Sequence, residues 1–161
     1  QSTPITDADT ASTVHDRLAI MGADALVQTL QSIAQGTQQA TPQPKEDVSY
    51  ANKINKSQVA IDWQRPASEV LRHIHAFNPS PGAYTHWGDK LLKIWAVAQH
   101  HSNSTAPAGT VIKADAQGLI VQCGIGALQI NQLQMAGKTR TTGEGFAVGH
   151  PALFNTQLHS L

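Results

Sequence analysis

The chain has 161 residues, with 11 Lys and Arg against 11 Asp and Glu and a sequence pI near 7.3. This length suits one ordinary domain or a small domain with an appendage. The balanced charge excludes a strongly basic, self-sufficient nucleic-acid binder, although residues 81–161 hold five basic and only three acidic groups. The single cysteine, Cys123, excludes an intrachain disulfide and suits a reducing cytoplasm. No run of about 18 apolar residues predicts a membrane span.

The first part of the chain has a helical pattern. Thr10 is a suitable N-cap, and Gly36 is a natural C-terminal stop. Gly22 interrupts the pattern, so we expect two helical segments rather than one. Their narrow apolar stripe lies within residues 14–34 and comprises Val14, Leu18, Met21, Leu26, Val27, Leu30, Ile33 and Ala34. Such a stripe cannot form a core by itself, which predicts that it packs against something outside this chain. The first residue, Gln1, is not an initiator methionine, so the sequence is expected to be a piece of a longer protein.

A linker is predicted next, over residues 37–57. Its first half, residues 37–47, holds two prolines and no large apolar group, so ordering it would gain little burial. Val59, Ile61 and Trp63 then alternate like a strand with a buried face. A helix is expected after Pro66, which suits the first helical turn, and it must end before the proline that follows Asn78.

The remainder predicts a small β-domain over residues 58–161. Two strands, 83–87 and 91–97, flank the tight turn at Gly88 and Asp89. Three further short strands are separated by glycine turns, and the last of these runs over residues 127–135. Its alternation breaks near Asn131 and Gln132, which predicts a β-bulge. Residues 143–149 contain three glycines and predict at most a weak helical turn. The fold class is therefore α+β, mainly β, with an OB-like Greek-key barrel preceded by helices.

The sequence shows no constellation suited to catalysis or to a metal. His73 and His75 are two apart on a predicted helix, so they point to different sides and do not share a metal readily. Cys123 lies in an apolar strand and reads as a structural thiol. Asp62 and Glu69 are isolated carboxylates without a partner set in the sequence. We therefore expect this chain to have no catalytic centre and no metal site.

A basic loop follows the last long strand and is the best candidate for phosphate contacts. Lys138 and Arg140 stand among threonines, whose hydroxyls also bind phosphate. The other candidate RNA-binding residues are Lys90, Lys93 and Lys113, expected on the same outer surface of the barrel. The alternative is an ordinary solubilising surface, and the sequence leaves both interpretations open. Trp87 and Trp95 are expected to be core residues rather than a platform for stacking bases.

Several stretches, taken in order, resemble one family. They are Ile61-Asp62-Trp63, the run from His75 to Thr85, Lys93-Ile94-Trp95, Pro107-Ala108-Gly109-Thr110 and Ala136-Gly137-Lys138. Together they resemble the C-terminal half of bacterial methionyl-tRNA formyltransferases, and residues 4–36 are similar to the last helices of that family's catalytic domain. The run from Phe77 to Thr85 is the most specific part. The chain departs from the family at Ser80, where the family usually has Trp.

The resemblance implies a cytoplasmic enzyme of translation initiation that formylates the methionine of initiator methionyl-tRNA with 10-formyltetrahydrofolate. Under it, residues 1–36 belong to a Rossmann-like N-terminal formyltransferase domain, 37–57 form the interdomain linker and 58–161 the OB-like C-terminal domain. The family's catalytic and folate-binding residues precede this region, so none is assigned here. The chain alone is then expected to bind no cofactor and to be inactive. Its implied partners are the tRNA, which Lys138 of the Ala-Gly-Lys loop would contact, and the missing N-terminal domain.

Two alternatives remain at this point. One is the C-terminal domain of a related formyltransferase that acts on a sugar nucleotide or on folate, which a tRNA requirement of the full-length protein would exclude. The other is a free-standing OB binding module, against which the unpartnered stripe of residues 14–34 argues. The same stripe predicts that the chain self-associates in the absence of its partner.

Overall fold

The computed structural model describes residues 1–159, and the chain divides into two compact units, Gln1–Ile54 and Asn55–Leu161. The first unit holds one helix, α1, at Ala11–Ala34. Thr10 caps it as predicted, since its hydroxyl accepts the backbone N–H of Thr13 at 3.3 Å. The predicted break at Gly22 is wrong, because the helix continues through it. A glycine costs a helix only about 1 kcal/mol, so one glycine does not interrupt 24 residues.

No residue of α1 is buried. The predicted apolar stripe faces solvent, and its members Leu18, Leu26, Leu30 and Ile33 are each between 50% and 59% exposed. An ion pair anchors the start of the helix. There the Arg17 guanidinium donates to the Asp9 carboxylate at 3.0 Å and holds the pKa of Asp9 well below its usual range.

The second unit begins with a 3-10 helix at Lys56–Val59, where the sequence predicted part of a strand. The alternation of Val59, Ile61 and Trp63 nevertheless predicts their burial correctly, since each is at most 3% exposed. They reach the core from a 3-10 helix and a turn rather than from a pleated strand. Helix α2, at Ala67–Ala76, follows Pro66 and ends before Asn78 as predicted.

Within residues 1–159, seven strands form one antiparallel sheet. They are β1 at Tyr84–Trp87, β2 at Lys90–His100, β3 at Val111–Asp115, β4 at Gly118–Gln122, β5 at Ala127–Met135, β6 at Thr141–Thr142 and β7 at Leu158–His159. The order across the sheet is β3-β4-β5-β2-β1-β7, with β6 paired to β5. The sheet curls until its two ends meet, because Val111 N–H donates to Thr156 O and Leu158 N–H donates to Gly109 O, both at 2.8 Å.

The long pair β2–β5 forms the centre of this curled sheet. The register of this pair shifts between Ile94 and Val97. The consecutive residues Ala96 and Val97 pair with Gln132 and Ile130, so Asn131 has no partner in the β2–β5 register. The predicted bulge near Asn131 is thus confirmed. The core lies between the concave face of the sheet and α2, and its fully buried members include Ile61, Ile74, Leu92, Ile94, Leu128 and Leu133.

A third helix, α3, at Gly143–Gly149, corrects the expectation of at most a weak turn. Thr142 caps it by accepting the N–H of Gly145 at 3.1 Å. A Cβ at Gly143 would lie 1.8 Å from the Ile130 carbonyl oxygen, so the glycine allows α3 to approach the sheet closely. Phe146 and Ala147 then join the core. Within residues 1–159, none of the helices combines the length and the apolar character that a membrane span requires.

Candidate nucleic-acid interface

The first pair of candidate cations lies on the β1–β2 hairpin. Lys93 points away from the core, because its neighbours Leu92 and Ile94 are each 1% exposed and occupy the opposite face. Its ammonium donates to the Pro81 carbonyl at 2.8 Å. Lys90 pairs across the turn with Trp87, and its Nζ lies 4.9 Å from the centre of that ring. Lys90 thus lies at the turn, whereas Lys93 lies three residues further along β2, where it pairs with Tyr84. Because side chains alternate along a strand, Lys90 is on the face of Leu92 and Lys93 on the outer face, so the predicted common outer surface is wrong for Lys90.

Trp95 lies beside Lys93, and it is buried outside the main core cluster. The loop that follows α2 wraps around it. The Asn78 amide donates to the Trp95 carbonyl at 2.8 Å, and Gly82 lies directly against the six-membered ring. Lys93 Nζ is 5.7 Å from the ring centre. The expected burial of Trp95 is confirmed, but polar and charged groups surround it.

Arg140 stacks on Trp95. Its guanidinium carbon is 3.7 Å from the ring centre, a contact between residues 45 positions apart that links the loop after β5 to β2. A guanidinium stacked on an indole keeps its edge N–H groups free for an oxygen ligand. Lys138 lies in the turn before it, and the N–H of Ala136 donates to the Leu91 carbonyl at 3.1 Å. This hydrogen bond places the basic loop beside the start of β2, where Lys90 also lies.

Gln134 connects the parts of this surface. Its Oε1 accepts the indole N–H of Trp95 at 3.2 Å, and its Nε2 donates to the Lys138 carbonyl at 2.7 Å. Sequence reasoning missed Gln134, because a partly buried glutamine in a strand has no distinctive spacing. Its only signal was its place one residue before the end of the strand that leads to Lys138.

The structure does not bring Lys113 to this surface. It stands on β3, three strands from β2. Across the sheet, Lys113 pairs with Ile120 on β4, Ile120 pairs with Gln129 on β5, and Gln129 pairs with Ala98 on β2. Ala98 is five residues further along β2 than Lys93. Lys113 also forms an ion pair with Asp115 at 3.8 Å. Within residues 1–159, by contrast, the other four candidates, Lys90, Lys93, Lys138 and Arg140, have no carboxylate partner within ion-pair distance. We call these four residues the hairpin-end cluster; Lys93 and Arg140 contact Trp95, whereas Lys90 lies at the turn on the other face of β2.

The other reactive groups identified in the sequence lie elsewhere. Cys123 is 1% exposed, and burial raises its pKa to about 12, so its interpretation as a structural thiol is confirmed. Burial also lowers the pKa of His73, whose ring nitrogen faces the Val59 carbonyl. The part of the chain that is described contains no group of three or more histidine, cysteine or acidic side chains arranged to hold a metal.

The curled sheet, with α2 and α3 packed on it, can be compared with known protein families. Residues 53–151 match the model of the formyl transferase C-terminal domain, so the chain belongs to that family. The fold is shared with HypX from Aquifex aeolicus, solved in complex with tetrahydrofolic acid. That structure superposes with a TM-score of 0.70 over 91% of this chain and 26% of its own, at 17% sequence identity.

The relatives among curated proteins include methionyl-tRNA formyltransferases. The chain is 42% identical to the one from Thiobacillus denitrificans over 156 residues, which is 96% of this chain and 50% of that protein. It is 43% identical to the one from Ralstonia nicotianae over 92% of this chain and 46% of that protein. It is 44% identical to the one from Aromatoleum aromaticum, over 92% of this chain and 46% of that protein. The chain thus spans about half the length of these relatives.

Proposed function

We propose that this chain is the C-terminal part of a methionyl-tRNA formyltransferase and contacts initiator methionyl-tRNA through its hairpin-end cluster. The whole enzyme would transfer a formyl group from 10-formyltetrahydrofolate to the methionine of that tRNA during translation initiation in the cytoplasm. The observation that carries the proposal is the 42–44% identity to such enzymes over 92–96% of the chain.

The geometry supports the assignment of the RNA surface. Phosphates attract lysines and arginines that are not already neutralised, and the four cations of the cluster have no carboxylate partner within residues 1–159. Lys138 and Arg140 are exposed, and Lys90 is too. The stacked Arg140 offers a directed donor, which suits a phosphate better than a freely rotating one. Lys113 stays a separate prediction, to be tested by its own variant.

The domain assignment is also part of the proposal. Residues 58–161 would be an OB-like Greek-key barrel, residues 37–57 the linker, and residues 1–36 the last helices of a Rossmann-like catalytic domain. The exposed apolar stripe of α1 supports the last assignment, because a helix with no buried residue lacks the packing that stabilises most helices. The formyl donor and the catalytic residues would then be held outside this chain. We expect no formyltransferase turnover from the chain alone, and measurable turnover would contradict the assignment.

The test is binding of the chain to initiator tRNA across a salt series, beside a Lys138→Ala, Arg140→Ala double variant. Phosphate contacts predict an affinity that falls as salt rises from about 50 to 200 mM. The slope of log affinity against log salt should be shallower in the double variant by about one unit for each lost contact. A matched control is Lys56→Ala, Arg72→Ala, which removes two exposed charges from other elements.

The control variant should leave the salt slope within about half a unit of the wild-type value. Equal slopes in the double variant and the wild type would show that Lys138 and Arg140 do not contact RNA phosphates. Absence of binding at low salt would contradict the proposal and would instead assign the barrel a bracing role for the catalytic domain.

A further inference from the structure

The contacts around Trp95 point to a role for two uncharged residues. We infer that Trp95 and Gln134 are positioning residues for the proposed RNA interface, since they hold Arg140 and the Lys138 turn in place before any RNA arrives. This inference rests on the proposed function for what the positioned groups bind. The arrangement itself is independent of RNA, and it follows from contacts within the chain.

The arrangement begins at the indole ring. Trp95 is 5% exposed, so its ring cannot adjust freely, and its N–H requires an acceptor because buried donors are costly when unpaired. Gln134 Oε1 supplies that acceptor at 3.2 Å. The hydrogen bond fixes the orientation of the ring plane. Arg140 stacks on that plane at 3.7 Å, so the direction of the guanidinium follows from the orientation of the indole.

The same glutamine also holds the turn that contains Lys138. Gln134 Nε2 donates to the Lys138 carbonyl at 2.7 Å, and the Lys138 N–H donates to the Met135 carbonyl at 3.0 Å. Lys138 is thereby held by its backbone while its side chain remains exposed. One amide thus sets the position of both cations, through the ring for Arg140 and through the main chain for Lys138.

Arginine is normally among the most mobile side chains at a surface, and ordering it on binding costs conformational entropy. A guanidinium that is already stacked avoids most of that cost. Removal of Gln134 should therefore weaken RNA binding without changing any charge. A structural role alone would instead weaken binding only by unfolding the chain.

The variant is Gln134→Met, which keeps the side-chain length and loses both hydrogen bonds. Its matched control is Gln132→Met, two residues earlier on β5, since Gln132 is also partly buried and makes no side-chain hydrogen bond within residues 1–159. Two readouts are needed. The first is the NMR spectrum of the Arg140 side chain in the free protein, where the ring current of a stacked indole shifts the arginine methylene signals upfield. The second is affinity for initiator tRNA.

We expect the upfield shift in the wild type and in Gln132→Met, and its loss in Gln134→Met. The affinity for tRNA should fall about two- to tenfold in Gln134→Met and stay unchanged in Gln132→Met. On the Lys138→Ala, Arg140→Ala background, Gln134→Met should have no further effect. An equal loss on both backgrounds would overturn the inference, because it would reflect general destabilisation.

The two proposals fail in different ways. If the wild-type chain does not bind tRNA, the proposed function fails, and the NMR readout alone decides whether Gln134 positions Arg140. Arginine signals at their unstacked positions in the wild type would overturn the positioning role whatever the RNA result.

Discussion

Gly82 lies against the six-membered ring of Trp95, with its backbone at a φ of +87°. A Cβ at this position would stand 2.6 Å and 2.8 Å from two ring carbons of Trp95. The loop that ends α2 therefore closes onto β2 through a residue without a side chain. Lys93 reinforces the same closure by donating to the Pro81 carbonyl. The exposed turn that includes Ser80 lies immediately before this contact.

We predict that Gly82→Ala destabilises the chain by about 2–3 kcal/mol, since the new methyl group combines a strained φ with a clash against a buried ring. Gly88→Ala is the matched control, because Gly88 has a φ of +57° and a Cβ added there would meet no atom within 4 Å. It should cost only about 1 kcal/mol. Urea unfolding of both variants measures the difference, and equal costs would show that Trp95 does not restrict this site.

Cys123 should be unreactive in the folded chain. Its thiol is 1% exposed, and burial raises its pKa to about 12, so at pH 8 only about one thiol in ten thousand is ionised. We expect an aromatic disulfide reagent to modify it only as the chain unfolds, and to react fully in denaturant. Rapid modification under native conditions would contradict the buried position.

His73 should make stability depend on pH. Burial lowers its pKa most, and the charge of Arg65 acts in the same direction, while the Val59 and Ala60 backbone and Asp62 oppose both. The unfolded chain then takes up the proton at a higher pH than the folded chain does. The free energy of unfolding should therefore fall as pH drops below about 6.5.

A His73→Gln variant should show a shallower fall between about pH 7 and 5, because its side chain has no proton to gain. Urea unfolding of the wild type and the variant at three pH values in this range gives the two slopes. A variant slope equal to or steeper than the wild-type slope would contradict the assignment to His73.

The sequence predicted the β-elements better than the contacts between them. The bulge at Asn131 was visible as a break in alternation, and the stop at Asn78 follows from the restriction that proline imposes on the preceding residue. Helix α3 was underestimated because three glycines lower helix propensity. The structure shows that Gly143 is needed for close approach to the sheet. Tertiary packing outweighs propensity in such short helices.

The sequence indicated which residues to consider for the candidate site, but it did not predict the contacts between them. Lys138 and Arg140 stood out by charge, and Lys93 by its alternation with apolar neighbours. The stacking of Arg140 on Trp95 depends on the register of β2 against β5, which residue spacing does not encode. For the same reason Lys113 was grouped with residues that lie three strands away.

The exposed stripe of α1 predicts self-association of the chain. Leu26 and Leu30 are each more than half exposed, and burying such side chains contributes about 1.5–3 kcal/mol each. We expect light scattering to give a mass above that of one chain, and a Leu26→Lys, Leu30→Lys variant to be monomeric. Gln28→Lys, Gln31→Lys is the control, with two exposed polar residues of the same helix changed. A monomeric wild type would contradict the prediction.

The proposed RNA surface is tested by lysine acetylation of the chain with and without saturating initiator tRNA, measured for each lysine by mass spectrometry. We predict that tRNA slows acetylation of Lys90, Lys93 and Lys138. We expect no change at Lys56, and the same experiment shows whether Lys113 contacts the RNA. Protection confined to lysines outside the hairpin-end cluster, or absent at saturation, would contradict the proposed RNA surface.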